Sequence, residues 1–246
     1  MRRKVEPLLC ELHAHTTWSD GALSMRELVD LYGRQGFDVL CVTDHTTRTA
    51  DPWLSVAEQV PRAVHRANYA AYLDQLTAEA ERASALYGLL VIPGLELTYN
   101  DLNPLLAAHA LAIGSRQLAD VDGGLDAAIS GARASGAAII AAHPFRGELG
   151  APSARATQRF ANEWRELDGL VHRYELFNRT DLFAWVAEAG LPGVATGDFH
   201  RPEHLAGWKT LIPCAHEEEA VVSYLRSRLP VYLARLGPGH AEQLAA

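Results

Sequence analysis

Seven short apolar runs rich in β-formers alternate along this chain with segments whose apolar residues recur at helical spacing. No other feature restricts the fold as strongly. The runs cover residues 8–15, 38–43, 89–98, 105–113, 137–143, 169–177 and 193–200. Between the first two, Ser24-Met25-Arg26-Glu27 reads as a capping box, followed by Leu28, Leu31 and Tyr32 on one face and Gly36 as the stop. Tyr69–Tyr87 carries Leu73, Leu76, Ala80, Ala83 and Leu86 as a stripe closed by Gly88. Asp122 is placed to cap a helix over 125–134 that ends at Gly136, and Asp181 one over 182–189 that ends at Gly190. Strand–helix alternation predicts a parallel sheet with helices outside it, either doubly wound or closed into a barrel.

Composition narrows the class. At 246 residues, with 48% hydrophobic and 21% charged, the chain can bury a large core, which excludes a disordered or fibrous protein. A net charge of −8 argues against a surface that coats nucleic acid or an anionic membrane. The 3 cysteines are too few and scattered for a disulfide framework or a Cys-rich zinc site, which suggests a reducing compartment. Met1-Arg2-Arg3-Lys4 could open a signal peptide, but Glu6, Pro7 and Glu11 interrupt the apolar run that should follow. No apolar stretch approaches the roughly 18–20 residues that span a bilayer. The expectation is a soluble cytoplasmic protein forming one domain, 1–246. Residues 51–66 read as a loop with a short helix around Trp53, and 146–159, rich in Gly, Pro, Ser and Ala, as a loop over the strand ends.

The chemistry sits where the runs stop. A period of two puts His13 and His15 on one face, side by side. The second run leads into Asp44-His45 and the third carries Glu96. The fourth carries His109, and the fifth ends in His143-Pro144. Glu175 lies in the sixth, and the seventh ends in Asp198-Phe199-His200. In parallel α/β barrels the carboxyl ends of the strands form one rim, where active sites are built. Six histidines (His13, His15, His45, His109, His143, His200) and three carboxylates (Asp20, Glu96, Asp198) make nine candidate ligands for Zn²⁺, Mn²⁺ or Fe²⁺, enough for two or three ions. Asp20 also fits a Ser19-Asp20-Gly21 turn. His65, His172, His204, His216 and His240 read as ordinary hydrogen-bonded histidines. Three divalent ions against three carboxylates leave a positive site. A hydroxide and a phosphomonoester dianion would neutralise it.

These residues resemble a known family. Glu11-Leu12-His13-Ala14-His15-Thr16-Thr17-Trp18-Ser19-Asp20-Gly21 is similar to the opening motif of the polymerase-and-histidinol-phosphatase (PHP) family of metal-dependent phosphoesterases. Thr43-Asp44-His45, Gly94-Leu95-Glu96, the His109 strand, His143-Pro144, Glu175-Leu176-Phe177-Asn178 and Gly197-Asp198-Phe199-His200 resemble its later motifs in order, across 8–200. The resemblance implies a distorted (β/α)7 barrel with its metal site at the C-terminal ends of the strands. It implies one metal on His13, His15, Glu96 and Asp198, and a second on the shared Glu96 with His109 and His143. A third would lie on Asp20, His45 and His200. Glu11 stands where the family usually has Asp, and Gly197 where Ser is commoner. Asp44 and Glu175 would orient histidines or bound water.

The implied activity is hydrolysis of a small phosphomonoester by a metal-bound hydroxide at a trinuclear site. Arg146 and Arg179 follow strand ends and are candidates for the substrate phosphate, with Arg48 and Arg201 weaker ones. Relatives acting on nucleotides often carry a lid domain between the His143-like and Glu175-like strands. Only 32 positions separate the two here, which suggests an open site and a small substrate. Trp18 and Trp53 could stack on an aromatic leaving group or pack under the loop. The competing readings are a carboxylic ester or carbamate hydrolase on the same cluster, a single-strand nuclease, and a non-catalytic metal-binding regulatory module. No stable nucleic-acid complex and no membrane contact are expected. Residues 201–246, including Thr210–Cys214, 217–228 and 231–236, are expected in the outer layer.

Overall fold

The computed structural model describes residues 6–52, 63–147 and 157–237. In chain order the elements are β1 (Leu8–Glu11), α1 (Met25–Arg34), β2 (Val39–Val42), β3 (His45–Thr47), α2 (Tyr69–Tyr87), β4 (Leu90–Tyr99), β5 (Ala108–Ile113), α3 (Leu125–Ala134) and β6 (Ala138–Ala142). They continue with the short α4 (Arg159–Asn162) and α5 (Trp164–Leu167), β7 (Arg173–Asn178), β8 (Asp181–Leu182), α6 (Ala184–Glu188), β9 (Gly193–Thr196), β10 (Gly207–Ile212), α7 (Glu218–Arg226) and β11 (Tyr232–Leu236).

The strands that answer to the seven apolar runs form a ring. β1, β2, β4, β5, β6, β7 and β9 pair in that order. The ring closes above β1 and β9, where Ala14 bridges Phe199: His15 N donates to Phe199 O at 2.8 Å and Phe199 N to His13 O at 3.0 Å. Below that bridge the two strands diverge, and β10 enters the gap antiparallel to β1. No ladder joins β10 to β9. Instead Thr210 Oγ1 accepts from Ala195 N at 2.9 Å and donates to Ala195 O at 2.7 Å, so one side chain supplies both bonds that a neighbouring strand would. The result is a distorted seven-stranded α/β barrel, as the family resemblance implies, and one of the two folds left open by the strand–helix alternation.

The ring departs from expectation in two places. β5 runs antiparallel to both β4 and β6, because residues 100–107 are too few for the crossover of a dozen or more that parallel strands need. His109 therefore reaches the rim at the start of its strand. The segment after His200 is also not simply outer layer, since β10 lies in the sheet and β11 extends it beyond β10. Two helix caps differ as well. Helix α3 begins at Gly124, and Asp122 instead binds Thr49 N and Oγ1 at 2.7 and 2.8 Å. Helix α6 starts only at Ala184, because Asp181 pairs with Asn178 in a small hairpin. The Ser24–Glu27 capping box forms as read, and α2 spans Tyr69–Tyr87, closed by Gly88 at φ 64°.

Apolar burial falls into two bodies. Inside the ring, Cys10, Leu12, Cys41, Ile92, Leu111, Ile140 and Val194 meet Val221 and Leu225 of α7. Between ring and outer helices lie Leu28, Tyr32, Tyr72, Leu76, Ile129, Tyr174 and Trp185. Helix α7 closes the end opposite the mouth, and the wholly buried Arg173 fixes it there. That guanidinium donates to the carbonyls of Tyr224, Leu225, Ser227 and Leu229 at 2.7–3.2 Å, placing its positive charge at the helix C-terminus and the turn beyond it. Among the described residues, no helix is long and apolar enough to cross a membrane.

Two predictions follow from these contacts. Thr210→Val keeps the shape but leaves Ala195 N and O without partners, and should cost about 1–3 kcal/mol in urea unfolding. An unchanged midpoint would show that the seam does not depend on them. The second concerns His172, whose Nδ1 accepts from Ile139 N at 2.9 Å and must be neutral to do so. Burial, then Arg133, Arg226 and Arg173, push it down to about 4. An unfolded imidazole titrates near about 6.5, so between these values the unfolded chain binds more protons. The contribution of His172 is full above the higher value and is lost as pH falls through the lower. His172→Asn, which keeps an acceptor without titrating, should lose less stability than wild type between pH 7 and about 4.5. Equal losses would refute this.

Candidate metal centre

All nine residues singled out from the sequence as ligand candidates meet at one end of the ring. Strand β4 outlasts β2, whose Val42 pairs with Pro93, so Glu96 rises past the end of its neighbour into the mouth. His45 pairs with Glu96 from β3, and His109 lies two residues along, opposite Thr98. His143 and Asp198 follow the last residues of β6 and β9. They reach inward through positive φ angles of 27° and 41°, and Arg179 beside them has φ 55°. These three are the non-glycine residues with positive φ among those described, a conformation that costs about 1–3 kcal/mol each. The strain is confined to the mouth. Gly21 is needed for close approach, since a Cβ there would overlap the backbone of His15.

Glu96 is the hub and is fully buried. Its Oε1 lies 3.0 Å from His109 Nδ1 and 3.0 Å from His143 Nε2. Its Oε2 lies 2.8 Å from His45 Nδ1, 3.3 Å from His15 Nε2 and 3.4 Å from His13 Nε2, yet makes no aligned hydrogen bond. His13 Nε2 and His15 Nε2 are 3.0 Å apart, and each is 3.6 Å from Asp198 Oδ1. Ligands at 2.0–2.2 Å around a tetrahedral ion are separated by about 3.3–3.6 Å, so the spacings of Glu96 Oε2 and Asp198 Oδ1 from His13 and His15 fit a shared cation, while the 2.8–3.0 Å spacings are shorter. On the other side, Asp20 Oδ1 is 3.5 Å from His45 Nε2, and Asp20 Oδ2 is 3.2 Å from His200 Nε2.

The outward hydrogen bonds assign the tautomers. His13 Nδ1 donates to Glu175 at 2.9 Å and His15 Nδ1 to Ser19 Oγ at 3.3 Å. His45 Nδ1 donates to Thr98 Oγ1 at 2.7 Å and His143 Nδ1 to Thr157 Oγ1 at 3.1 Å. His109 Nε2 donates to Asn100 Oδ1 at 2.9 Å, and His200 Nδ1 lies 3.0 Å from the Asp198 carbonyl, to which it donates, and 3.3 Å from the Arg179 guanidinium, which favours the opposite tautomer. The serine and threonine hydroxyls spend their own protons elsewhere: Ser19 on Asp44, Thr98 on the Glu96 carbonyl, and Thr157 on the His143 carbonyl. Each imidazole thus keeps a second nitrogen, bare when the ring is neutral, that faces a carboxylate. Acceptor against acceptor is repulsive without a proton or a cation between them.

Protons answer this only in part. Burial opposes charge on all six imidazoles, but Glu96, Asp198 and Glu175 raise His13, and carboxylate neighbours likewise raise His45 and His143. Asp198 and Asp20 hold His200 up at about 9. His15 goes the other way, lowered by burial and then by His45 and His200. Burial also lowers His109, which Glu96 offsets only partly. Although burial works against them, Glu96, Asp198 and Asp20 are held far below the usual carboxylate range by the imidazoles around them. Three anions with two persistently neutral histidines among their neighbours form a donor set for divalent cations.

The remaining candidates divide. Glu175 is buried and accepts from His13 Nδ1, Thr196 Oγ1, His143 N and Asn178 Nδ2, so it fixes the ring of one ligand candidate and the backbone of another. Asp44 holds a loop rather than an imidazole. It accepts from Thr16 N, Thr16 Oγ1 and Ser19 Oγ, pinning the loop that carries Asp20. Arg179 meets Asp198 through its carbonyl at 2.7 Å and Oδ2 at 3.0 Å. Arg146 is exposed, lying over Trp185 at 5.1 Å, and does not join the cluster. Arg48 lies over Tyr99 and bonds the Asn100 carbonyl, and Arg201 meets His204. Trp18 packs edge-on against Tyr72 and donates to Gln75, while Trp53 and His240 lie outside the described residues. Ser19, Thr98, Asn100 and Thr157 were not foreseen, because small polar residues beside a turn or strand end carry no distinguishing pattern. Lys209, a lysine inside the otherwise largely apolar strand β10, is a departure from pattern that is visible in the sequence.

Residues 11–191 match the PHP domain. The chain belongs to the PHP family. It is 34% identical over 93 residues to the DNA polymerase/3'-5' exonuclease PolX of Bacillus subtilis, a stretch covering 37% of this chain and 15% of that protein. Among solved structures, a two-domain protein of Bacteroides vulgatus containing a predicted PHP-like metal-dependent phosphoesterase shares 21% identity, with a TM-score of 0.64 over 93% of this chain and 65% of the other. An amidohydrolase of Chromobacterium violaceum, with bound sulfate and no metal, shares 18% identity at a TM-score of 0.54, over 95% and 99% of the two chains. These structures share the barrel. The PHP chain described here spans less than two thirds of the polymerase/exonuclease and of the two-domain protein.

If the cluster binds metal in the folded state only, Mn²⁺ at a hundred times its Kd should stabilise the protein by about 2.7 kcal/mol, raising Tm by roughly 5–10 °C. Glu96→Gln, which weakens the shared carboxylate, should abolish most of that shift. A shift equal in wild type and Glu96→Gln would place the metal elsewhere.

Proposed function

We propose that this PHP-family chain is a metal-dependent phosphoesterase acting on a small phosphomonoester at the cluster around Glu96. One observation carries the reading: six imidazoles each tie one nitrogen outward and turn the other toward Asp20, Glu96 or Asp198. His13, His15, Glu96 and Asp198 would hold one ion, Glu96 with His109 and His143 a second, and Asp20, His45 and His200 a third. Divalent ions bound there lower the pKa of water toward neutrality and offset phosphoryl charge.

The chain's own residues do the rest. Glu175, Ser19, Thr98, Asn100 and Thr157 keep five of the six rings turned inward, and the Asp198 carbonyl holds His200, so little reorganisation is left for the reaction. Arg179, partly exposed at the rim, neutralises Asp198 and adds positive charge where a phosphoryl oxygen would dock. Arg146, over Trp185, would meet a leaving group rather than the phosphoryl group. The similarity to a protein containing a predicted PHP-like metal-dependent phosphoesterase supports a phosphoester substrate. A net charge of −8 weighs against extended nucleic acid, despite the partial match to a polymerase/exonuclease.

Phosphate release from p-nitrophenyl phosphate, nucleoside monophosphates and a phosphodiester should require Mn²⁺, favour monoesters and fall at least about 100-fold in His143→Ala. Folded, Mn²⁺-binding protein that is silent on all of these, yet cleaves p-nitrophenyl acetate or a carbamate, would replace this reading with ester hydrolysis.

A further inference from the structure

Below the cluster, at the seam between β1, β9 and β10, lies a charged pair that the reaction does not use. Glu11 and Lys209 are both 0% exposed, and Lys209 Nζ sits 2.8 Å from Glu11 Oε2. The ammonium makes no aligned hydrogen bond, so the contact is an ion pair. The other carboxylate oxygen, Glu11 Oε1, accepts from Leu12 N at 3.1 Å, His13 N at 3.2 Å and Gly197 N at 2.7 Å. Tyr32 OH completes the set by donating to Oε2 at 3.0 Å. Gly197 makes the room, because a Cβ there would overlap both Glu11 Oε2 and Lys209 Nζ. The two departures from the family pattern, Glu11 and Gly197, therefore meet in space: the longer acid fills the site of the missing side chain.

We propose that Glu11, held in charge balance by Lys209 in the slot left by Gly197, is a positioning residue for the centre. One carboxylate oxygen locks the backbone of His13 and the backbone immediately before Asp198. Those two ligand candidates come from segments that are otherwise joined at the Ala14–Phe199 bridge, and the Glu11 oxygen adds a second tie just below it. A buried ion pair contributes little to stability compared with apolar residues of the same shape. The burial is explained by what the free oxygen holds. The inference rests on reading the cluster as a metal centre.

Two double variants separate positioning from packing. E11Q/K209M removes both charges but retains an acceptor for His13 N and Gly197 N, whereas E11M/K209M fills the same space without one. Mn²⁺ affinity, measured by competition with a fluorescent chelator, should stay within about threefold of wild type in E11Q/K209M. It should weaken ~10–100-fold in E11M/K209M, the range for lost support of a ligand, with Tm lowered because Leu12 N, His13 N and Gly197 N lose their acceptor, so affinity is read well below the melting transition. Wild-type affinity in folded E11M/K209M would overturn the proposal. If E11M/K209M does not fold, a loss beyond tenfold in folded E11Q/K209M overturns it, and retained affinity there upholds the acceptor's role. Wild type that binds no Mn²⁺ at all would end the metal reading and this inference together, a result distinct from equal binding by all three proteins.

Discussion

A buried carboxylate surrounded by imidazoles is the constraint around which the mouth of this barrel is organised. Glu96 cannot be solvated where it sits, and five histidines approach its two oxygens. Charge buried without a partner costs several kcal/mol, so the surroundings must supply positive charge or a cation. Each ring is held by a separate outward acceptor. That outer layer of Glu175, Ser19, Thr98, Asn100 and Thr157 turns a collection of histidines into a directed set of donors. It also explains why Asp44 and Glu175, both buried acids, have different tasks: one holds a loop, the other a ring and a backbone N–H.

Backbone conformation serves the same end. His143 follows a strand whose alternation puts Ile140 and Ala142 inward and would turn His143 away, and its left-handed backbone delivers the side chain to the mouth. Among the described residues, the opposite end shows no such strain. There α7 seals the barrel with Val221 and Leu225, and Arg173 gathers four carbonyls at the helix terminus. A rigid floor and a strained, polar rim fit a scaffold that holds a site built from strand ends.

Much of this was legible from local pattern. The seven apolar runs became the seven ring strands, the Ser24–Glu27 box and the Gly88 stop formed as read, and the nine ligand candidates converged. The errors have local causes. Asp122 and Asp181 are good capping residues, but each found a competing partner, Thr49 and Asn178, that no helix-start signal takes into account. The antiparallel course of β5 could have been inferred from the short connection before it. β10 could not, because an apolar run near the chain's end has the same pattern whether it covers a sheet or joins one.

Sequence by itself determined which chemical groups arrive at the strand ends, since side-chain period and helix boundaries depend on neighbours a few residues apart. Tertiary structure alone decided how those groups face one another. Closure of the ring at Ala14 and Phe199, the two bonds of Thr210 and the outward partner of each imidazole are all set between distant segments. The bond from Gly197 N to Glu11 spans 186 positions. Such a contact exists only once the first and last ring strands meet, so no pattern within either strand encodes it.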